Sequence, residues 1–317
     1  MGFQTFQEFT QQLGLLYDKE QKVARAFEVL QQEYQRFPEY ADQTYYWRIF
    51  MASRLGQQTL ALHLFEEALD RGYWFAPSTL ETDEDLVSLH PLPAFQAMVE
   101  ICRQRLIEAQ TTTRPDLLVV PPEKQGGSLP LLMALHGNWS NARDTQEHWR
   151  NITTRGWLLG VPQSSQIIGQ HSYVWDDRQK GTHEVCEHLT TLNKVHVIDP
   201  ERVVVGGFSQ GSGLAILLAL HQSIKTCGFV VLAPHLSEVE LETLPPLLDR
   251  QKPMGLRGSI IVGEEDTRLL GIAHKIAEVL RSYDLPCQLE IYPGLEHTYP
   301  SDFATCVTKG LAFIDGE

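Results

Sequence analysis

The sequence predicts an α/β fold: a mostly parallel sheet covered by helices on both faces, preceded by an all-α helical module. Three observations lead there. From Thr113 onward, short β-rich runs alternate with helical stretches, and such alternation builds parallel sheets through right-handed crossovers. Several of the β runs are almost continuously apolar, as strands are when helices cover both their faces. Before Thr113, apolar residues recur at three- and four-residue steps, with no strand-like alternation. The chain of 317 residues therefore divides into a helical module, residues 1–112, and an α/β domain, residues 113–317.

In the module, Val23, Ala26, Phe27, Leu30 and Tyr34 mark one helix. Leu60, Leu64, Phe65 and Ala68 mark a second, and Phe95, Met98, Val99, Cys102 and Leu106 a third. Pro93 suits the first turn of the last, where its missing N–H is not needed. A repeat runs through the module: Ala26, Leu30, Glu33 and Pro38 lie 35 residues before Ala61, Phe65, Ala68 and Tyr73. The pattern resembles the second helix of a tetratricopeptide unit, with Gly56 in the turn such a unit needs. Tyr45 and Arg48 stand where that family prefers Trp and Leu. The two units are fewer than the roughly three a free-standing array requires, so the module is expected to lean on the rest of the chain. A surface of this kind offers a site for a protein partner or for self-association.

The α/β domain reads as strands at Leu117–Val120, Leu131–Leu135, Leu158–Val161, Arg202–Gly206, Gly228–Leu232, Ser259–Val262 and Gln288–Tyr292. Between them fall helices at Arg143–Thr154, Thr182–Leu192, Gln210–His221, Leu270–Tyr283 and Phe303–Phe313.

Composition narrows the function classes. The net charge of −14 divides evenly, −7 on each part, so no basic face for nucleic acid is visible. The densest acidic cluster, Glu81–Asp85, reads as a solvated face or as a docking patch for a basic partner. No run approaches the ~18 apolar residues of a membrane span, so stable membrane insertion is not expected. Five scattered cysteines without a C-x-x-C give neither a disulfide framework nor a structural metal site. With no secretory signal at Met1–Phe6, a cytoplasmic location is expected.

The chemistry concentrates at Gly207-Phe208-Ser209-Gln210-Gly211. In G-x-S-x-G the serine hydroxyl protrudes from a strained strand-to-helix turn, where side chains two positions before and after would strike backbone. Here an apolar strand leads in and an apolar helix, Leu214–Leu220, follows. That helix points its N-terminal amides at the reacting centre, where they favour negative charge. A serine hydroxyl needs an adjacent base. Of the 12 histidines, His297 lies in a loop between the last strand and the last helix, where open α/β sheets carry their sites. His221, His274 and His188 sit in helical patterns. His235 and His171 lie on loops and read as pocket residues. The orienting acid belongs between the serine and the histidine in chain order. Asp266 is the choice, with Glu264 and Glu265 as alternatives, and a helix N-cap as its structural role. One oxyanion donor is the amide of Gln210. The second belongs after an early strand, at Leu131–Leu135-His136-Gly137-Asn138-Trp139, from the amide of Asn138 or that of Trp139. His136 reads as structural rather than as the base.

These elements, with Ile198-Asp199-Pro200-Glu201-Arg202-Val203 leading into the serine motif, resemble the small carboxylesterase/phospholipase branch of the α/β-hydrolase superfamily over about residues 115–315. The resemblance implies a doubly wound sheet, no cofactor, and carboxylic esters, lysophospholipids or acyl thioesters as substrates. It implies Ser209, Asp266 and His297 as the triad and Gln210 and Asn138 as oxyanion donors. Two departures stand out: Ser212 where the branch often has Gly, and Asn138-Trp139 where it has Leu-Gly or Gly-Gly. The 25 residues between Ala233 and Ser259 are too few for a cap domain. Trp139, Tyr173, Trp175 and His235 are expected to line the substrate site, with a structural corner in which Trp175 packs inward as the other reading of its loop, and the helical module is expected to narrow access to the site. Within the same chemistry a serine peptidase is the alternative. A tetratricopeptide-like adaptor that binds without turnover is the reading from another class.

Overall fold

The computed structural model describes residues 3–123 and 127–316. The chain divides into two compact units, Met1–Thr112 with Ile168–Gln170, and Thr113–Ile167 with His171–Glu317.

The first unit contains α1 (Phe6–Gly14), α2 (Val23–Glu33), α3 (Ala41–Arg54), α4 (Gln58–Asp70), α5 (Pro77–Thr82) and α6 (Pro93–Thr112). The periodic residues are its core. Ala26 and Leu30 on α2, and Ala61, Phe65 and Ala68 on α4, are fully buried. Helix α3 packs against both α2 and α4. Between α3 and α4, Gly56 takes φ +72°, a left-handed turn that a side chain would strain. Arg48 on α3 has a local explanation. Its guanidinium lies 4.1 Å from the Tyr34 ring centre and 5.0 Å from that of Tyr45, and its Nε donates to Gln31 Oε1 at 2.8 Å. A cation held over two aromatic rings stands in place of the apolar contact of the tetratricopeptide pattern. Three of the four acids in the Glu81–Asp85 cluster are engaged within this unit. Asp83 accepts from Tyr46, Asp85 accepts from Tyr17 and pairs with Arg54, and Glu81 pairs with Arg103.

The second unit is built on a seven-stranded sheet. In chain order, the segment from Asp116 onward contains β1 (Asp116–Val120), β2 (Leu129–Leu135), α7 (Ala142–Trp149), β3 (Leu158–Gln163), β4 (Ile167–Gly169), β5 (Ser172–Tyr173), α8 (Arg178–Val195), β6 (Ile198–Phe208), α9 (Gln210–Leu220), β7 (Gly228–Leu232), α10 (Glu238–Arg250), β8 (Arg257–Gly263), α11 (Thr267–Ser282), β9 (Cys287–Tyr292) and α12 (Phe303–Asp315). The large sheet runs β1-β3-β2-β6-β7-β8-β9. Only β1 is antiparallel, pairing with β3.

Period-two alternation sorts the strand residues onto two faces. Leu131, Met133, Leu135, Val203, Val205, Val231, Ile260 and Val262 share one apolar cluster with α9 and α11. Leu132, Ala134, Val204, Val230, Leu232 and Ile261 share the other with Trp149 and α12. Two features depart from the sequence expectation. Helix α10 forms despite Pro245 and Pro246 within it, started by a capping box in which Ser237 and Glu240 satisfy each other's backbone N–H. The loop after β3 contains the short strands β4 and β5. Among the described residues, no helix is long and apolar enough to cross a membrane.

The strand order fixes where a site can lie. From β2 the chain moves outward one way to β3 and the other way to β6, so the order reverses between β2 and β6. A crevice opens beyond the carboxyl ends of the strands at such a reversal. The residues that end β2 and β6 are Leu135 and Phe208, one step before His136 and Ser209.

Candidate active site

Ser209 sits between β6 and α9 with φ +52° and ψ −115°. That region is costly for a residue with a side chain and persists only where surroundings enforce it. Here they do. Ser209 N–H donates to Leu232 O at 2.9 Å, and Ser209 O accepts from Gly213 N at 3.1 Å and His235 N at 3.0 Å. The turn presses on the end of β2: a Cβ at Gly207 would lie 2.7 Å from Leu135 O, and one at Gly211 2.3 Å from His136 O. Ser212 adds a pin. Its buried hydroxyl accepts from Leu232 N–H at 3.1 Å and lies 2.6 Å from Gly207 O and 2.8 Å from Leu232 O, so its one proton serves one of those carbonyls. A glycine there would lose both strand ties, which explains the departure at this position.

His297 approaches Ser209 from the loop after β9, its Nε2 3.0 Å from Ser209 Oγ. Its Nδ1 lies 2.6 Å from Asp266 Oδ2. Asp266 follows β8, and its side chain is 8% exposed against 41% for His297. Its other oxygen accepts from Leu269 N–H at 3.4 Å, so orienting partner and N-cap coincide in one carboxylate. The alternatives are placed elsewhere. Glu264 accepts from Gly294 N–H at 3.1 Å, and Glu265 contributes its backbone N–H to Leu295 O. The Phe208 ring backs the imidazole at 4.7 Å between centres, and Tyr299 packs behind Phe208 at 4.8 Å. Sequence reasoning assigned neither aromatic a role, although Phe208 lies inside the motif and Tyr299 two residues after the histidine.

His136 is fully buried. Its Nδ1–H donates to Gly137 O at 2.8 Å, while Nε2 accepts from Ser164 N–H at 3.3 Å and lies 3.3 Å from Gln163 Nε2. Burial pushes its pKa down to about 4, against a smaller upward pull from the Gly137 carbonyl. It is a neutral structural imidazole. Its bond to Gly137 O also turns that peptide: in a trans peptide the Asn138 N–H points away from the carbonyl and hence away from His136. Because the folded protein resists a proton that the unfolded chain takes up near pH 6.5, stability is expected to fall as pH drops from about 6.5 to about 4. At about 1.4 kcal/mol per pKa unit, the loss reaches roughly 3 kcal/mol. His136→Gln should flatten this part of the Tm–pH curve, and an unchanged slope would contradict the assignment.

Trp139 is 44% exposed and holds φ +60°. The position therefore takes the backbone conformation that the glycine of the related pattern adopts freely. Tyr173 is half-buried on β5, its ring 6.2 Å from that of His136. His235 is half-buried, its Nδ1 enclosed without a partner among the described residues. Burial, and then the nearby Arg268 and Arg178, hold its pKa below the usual value. Trp175 corrects the expectation that it lines the pocket, because its side chain is fully buried. The indole N–H donates to His136 O at 3.0 Å, and the ring stacks on the His136 imidazole at 4.7 Å. An indole whose polar edge is satisfied inward is a corner post, and no substrate reaches it.

Residues 6–110 match the A/B hydrolase-like N-terminal domain, and residues 161–305 match the dienelactone hydrolase family. No curated protein sequence matches. Among solved structures, an uncharacterized protein from Bacillus cereus ATCC 10987 is 26% identical, with 98% of this chain and 99% of that chain covered and a TM-score of 0.56. Esterase PE8 is 17% identical over 64% of this chain and 99% of its own, with a TM-score of 0.53. A carboxylesterase from Mesorhizobium loti is 16% identical over 64% and 96%, at 0.50. At these identities the two esterases are similar in fold. The fold is thus that of an α/β hydrolase, in a chain whose residues 6–110 are similar to the A/B hydrolase-like N-terminal domain and whose residues 161–305 are similar to the dienelactone hydrolase family.

Proposed function

We propose that this protein is a serine hydrolase of carboxylic esters that works through an acyl-enzyme. The observation that carries the proposal is the continuous line from Ser209 Oγ to His297 Nε2 at 3.0 Å and from His297 Nδ1 to Asp266 Oδ2 at 2.6 Å. Asp266 accepts the Nδ1–H and so leaves Nε2 free to take the serine proton. Ser209 Oγ attacks the ester carbonyl while His297 removes its proton. The oxyanion is received by the backbone N–H groups of Gln210 and Asn138, each worth roughly 2.7–4 kcal/mol to the transition state. His297 then protonates the leaving alcohol. Water, deprotonated by the same imidazole, releases the acid and restores Ser209.

Carboxylic esters are favoured because the family name and the esterase neighbours concern the same acyl transfer. A lactone is an internal ester whose alcohol stays attached to the acyl group. The experiment is fluorophosphonate labelling of the full chain, with the modified residue located by peptide mass spectrometry. Labelling at Ser209 is expected. Folded protein that takes no label would overturn the proposal in favour of a binding protein without turnover. A panel of aryl esters, lactones, thioesters, lysophospholipids and aminoacyl amides then ranks the acyl and leaving groups, and preference for the amides would favour a peptidase.

A further inference from the structure

We propose that Arg178 is a positioning residue for the oxyanion-binding peptide, an inference that rests on the serine-hydrolase reading. The peptide in question joins Ser209 to Gln210, and its N–H is the proposed oxyanion donor. A trans peptide is planar, so whatever fixes the Ser209 carbonyl also fixes the direction of the Gln210 N–H. That carbonyl is held by the amides of Gly213 and His235. The first lies inside α9. The second comes from a loop after β7, which needs its own anchor.

Arg178 supplies that anchor. Its Nη2 donates to His235 O at 3.2 Å and its Nη1 to Gln210 O at 2.9 Å. One planar fork thus grips both the residue whose N–H aims the peptide and the residue that carries the oxyanion donor. The third side of the guanidinium is fixed as well, with Nε 2.8 Å from Glu240 Oε1 on α10. Glu240 is itself held by Ser237, whose N–H and Oγ–H both donate to its Oε2. The fit leaves little slack: a Cβ at Gly213 would lie 2.0 Å from His235 O and 3.0 Å from Arg178 Nη2. The same segment reaches Gln210 twice more. Trp175 N–H donates to Gln210 Oε1 at 2.6 Å, and Gln210 Nε2 donates to Asp176 Oδ1 at 2.6 Å. Arg178 has no line to Ser209 Oγ or His297 Nε2, so it acts through the backbone.

The test compares full-length wild type, Arg178→Lys and Arg178→Met for kcat and KM on p-nitrophenyl acetate and for the rate of fluorophosphonate labelling. Both variants should lose about 10–100-fold in kcat and in labelling rate, with KM within about threefold, as expected for an interaction made in the transition state. Lysine should rescue little, because a single ammonium does not reproduce the planar two-carbonyl fork. Added methylguanidinium should restore part of the activity of Arg178→Met. A kcat within about threefold of wild type in folded Arg178→Met overturns the inference. Should that variant fail to fold, Glu240→Ala and Glu240→Gln decide. A fall in kcat with Ala that Gln reverses supports the anchor, because Gln keeps an oxygen for Nε, and equal behaviour of the two overturns it. Wild type that neither labels nor turns over removes the serine-hydrolase reading itself. Normal labelling of wild type with an unaffected Arg178→Met removes only the role of Arg178.

Discussion

Ser209→Ala is expected to lower kcat for p-nitrophenyl acetate by about 10⁵–10⁶, the loss seen when a serine triad acting as a unit is broken. The fold should survive. The ties that hold this turn, to Leu232 O, Gly213 N and His235 N, are made by the Ser209 backbone and persist in alanine. Among the described residues the hydroxyl has one side-chain partner, His297 Nε2, and the His297 side chain is 41% exposed, so water can take the place of the hydroxyl. Tm should therefore move by no more than a few degrees. His297→Ala should cost a similar factor, and the double variant little more than either alone, because neither group works without the other. The measurement is steady-state kinetics beside thermal melting on the same preparations. Activity above about 1% of wild type in clean Ser209→Ala would show that another nucleophile carries the reaction.

Much of this site was legible in the sequence because its chemistry restricts both residue type and place. A protruding serine needs glycines on either side, and Gly207 and Gly211 are indeed pressed against β2 carbonyls. The acid and base must follow strands whose carboxyl ends share one edge, which places Asp266 after β8 and His297 after β9. The sheet was legible because its strands are short apolar runs separated by turn residues. Helix α10 was not, since Pro245-Pro246 reads as a break, although its Ser237-x-x-Glu240 start was present. Trp175 has two readings in the sequence, pocket wall and inward-packed corner, because composition cannot say which way an indole on a loop turns. Its backbone and ring are claimed by Gln210 Oε1 and His136 O, partners that exist only once β2, β6 and the loop after β3 have come together. The role of Arg178 was hidden for the same reason: the carbonyls of Gln210 and His235 carry no sequence signature.

Asp266→Asn separates the two tasks of one side chain. Asp266 Oδ1 caps α11 through Leu269 N–H, while Oδ2 holds His297 Nδ1 at 2.6 Å. Asparagine is as good an N-cap as aspartate, so its oxygen can keep the first task. Its NH₂ then faces Nδ1, which can no longer donate there. The imidazole is driven to carry its proton on Nε2, the nitrogen that must accept from Ser209. The expected result is a fall in kcat of about 10⁴ with Tm close to wild type. Asp266→Ala should show a similar kinetic loss and in addition lose the cap, worth about 1 kcal/mol, or roughly 2–4 °C in a domain of this size. The pair of variants thus reads catalysis and stability on separate axes. If Asp266→Asn kept more than about a tenth of the activity, the residue would be a helix cap that happens to lie beside the histidine. If Asn and Ala melted together well below wild type, the charge itself would be holding the loop that carries His297, and the kinetic loss would have to be measured against that displacement rather than against the tautomer.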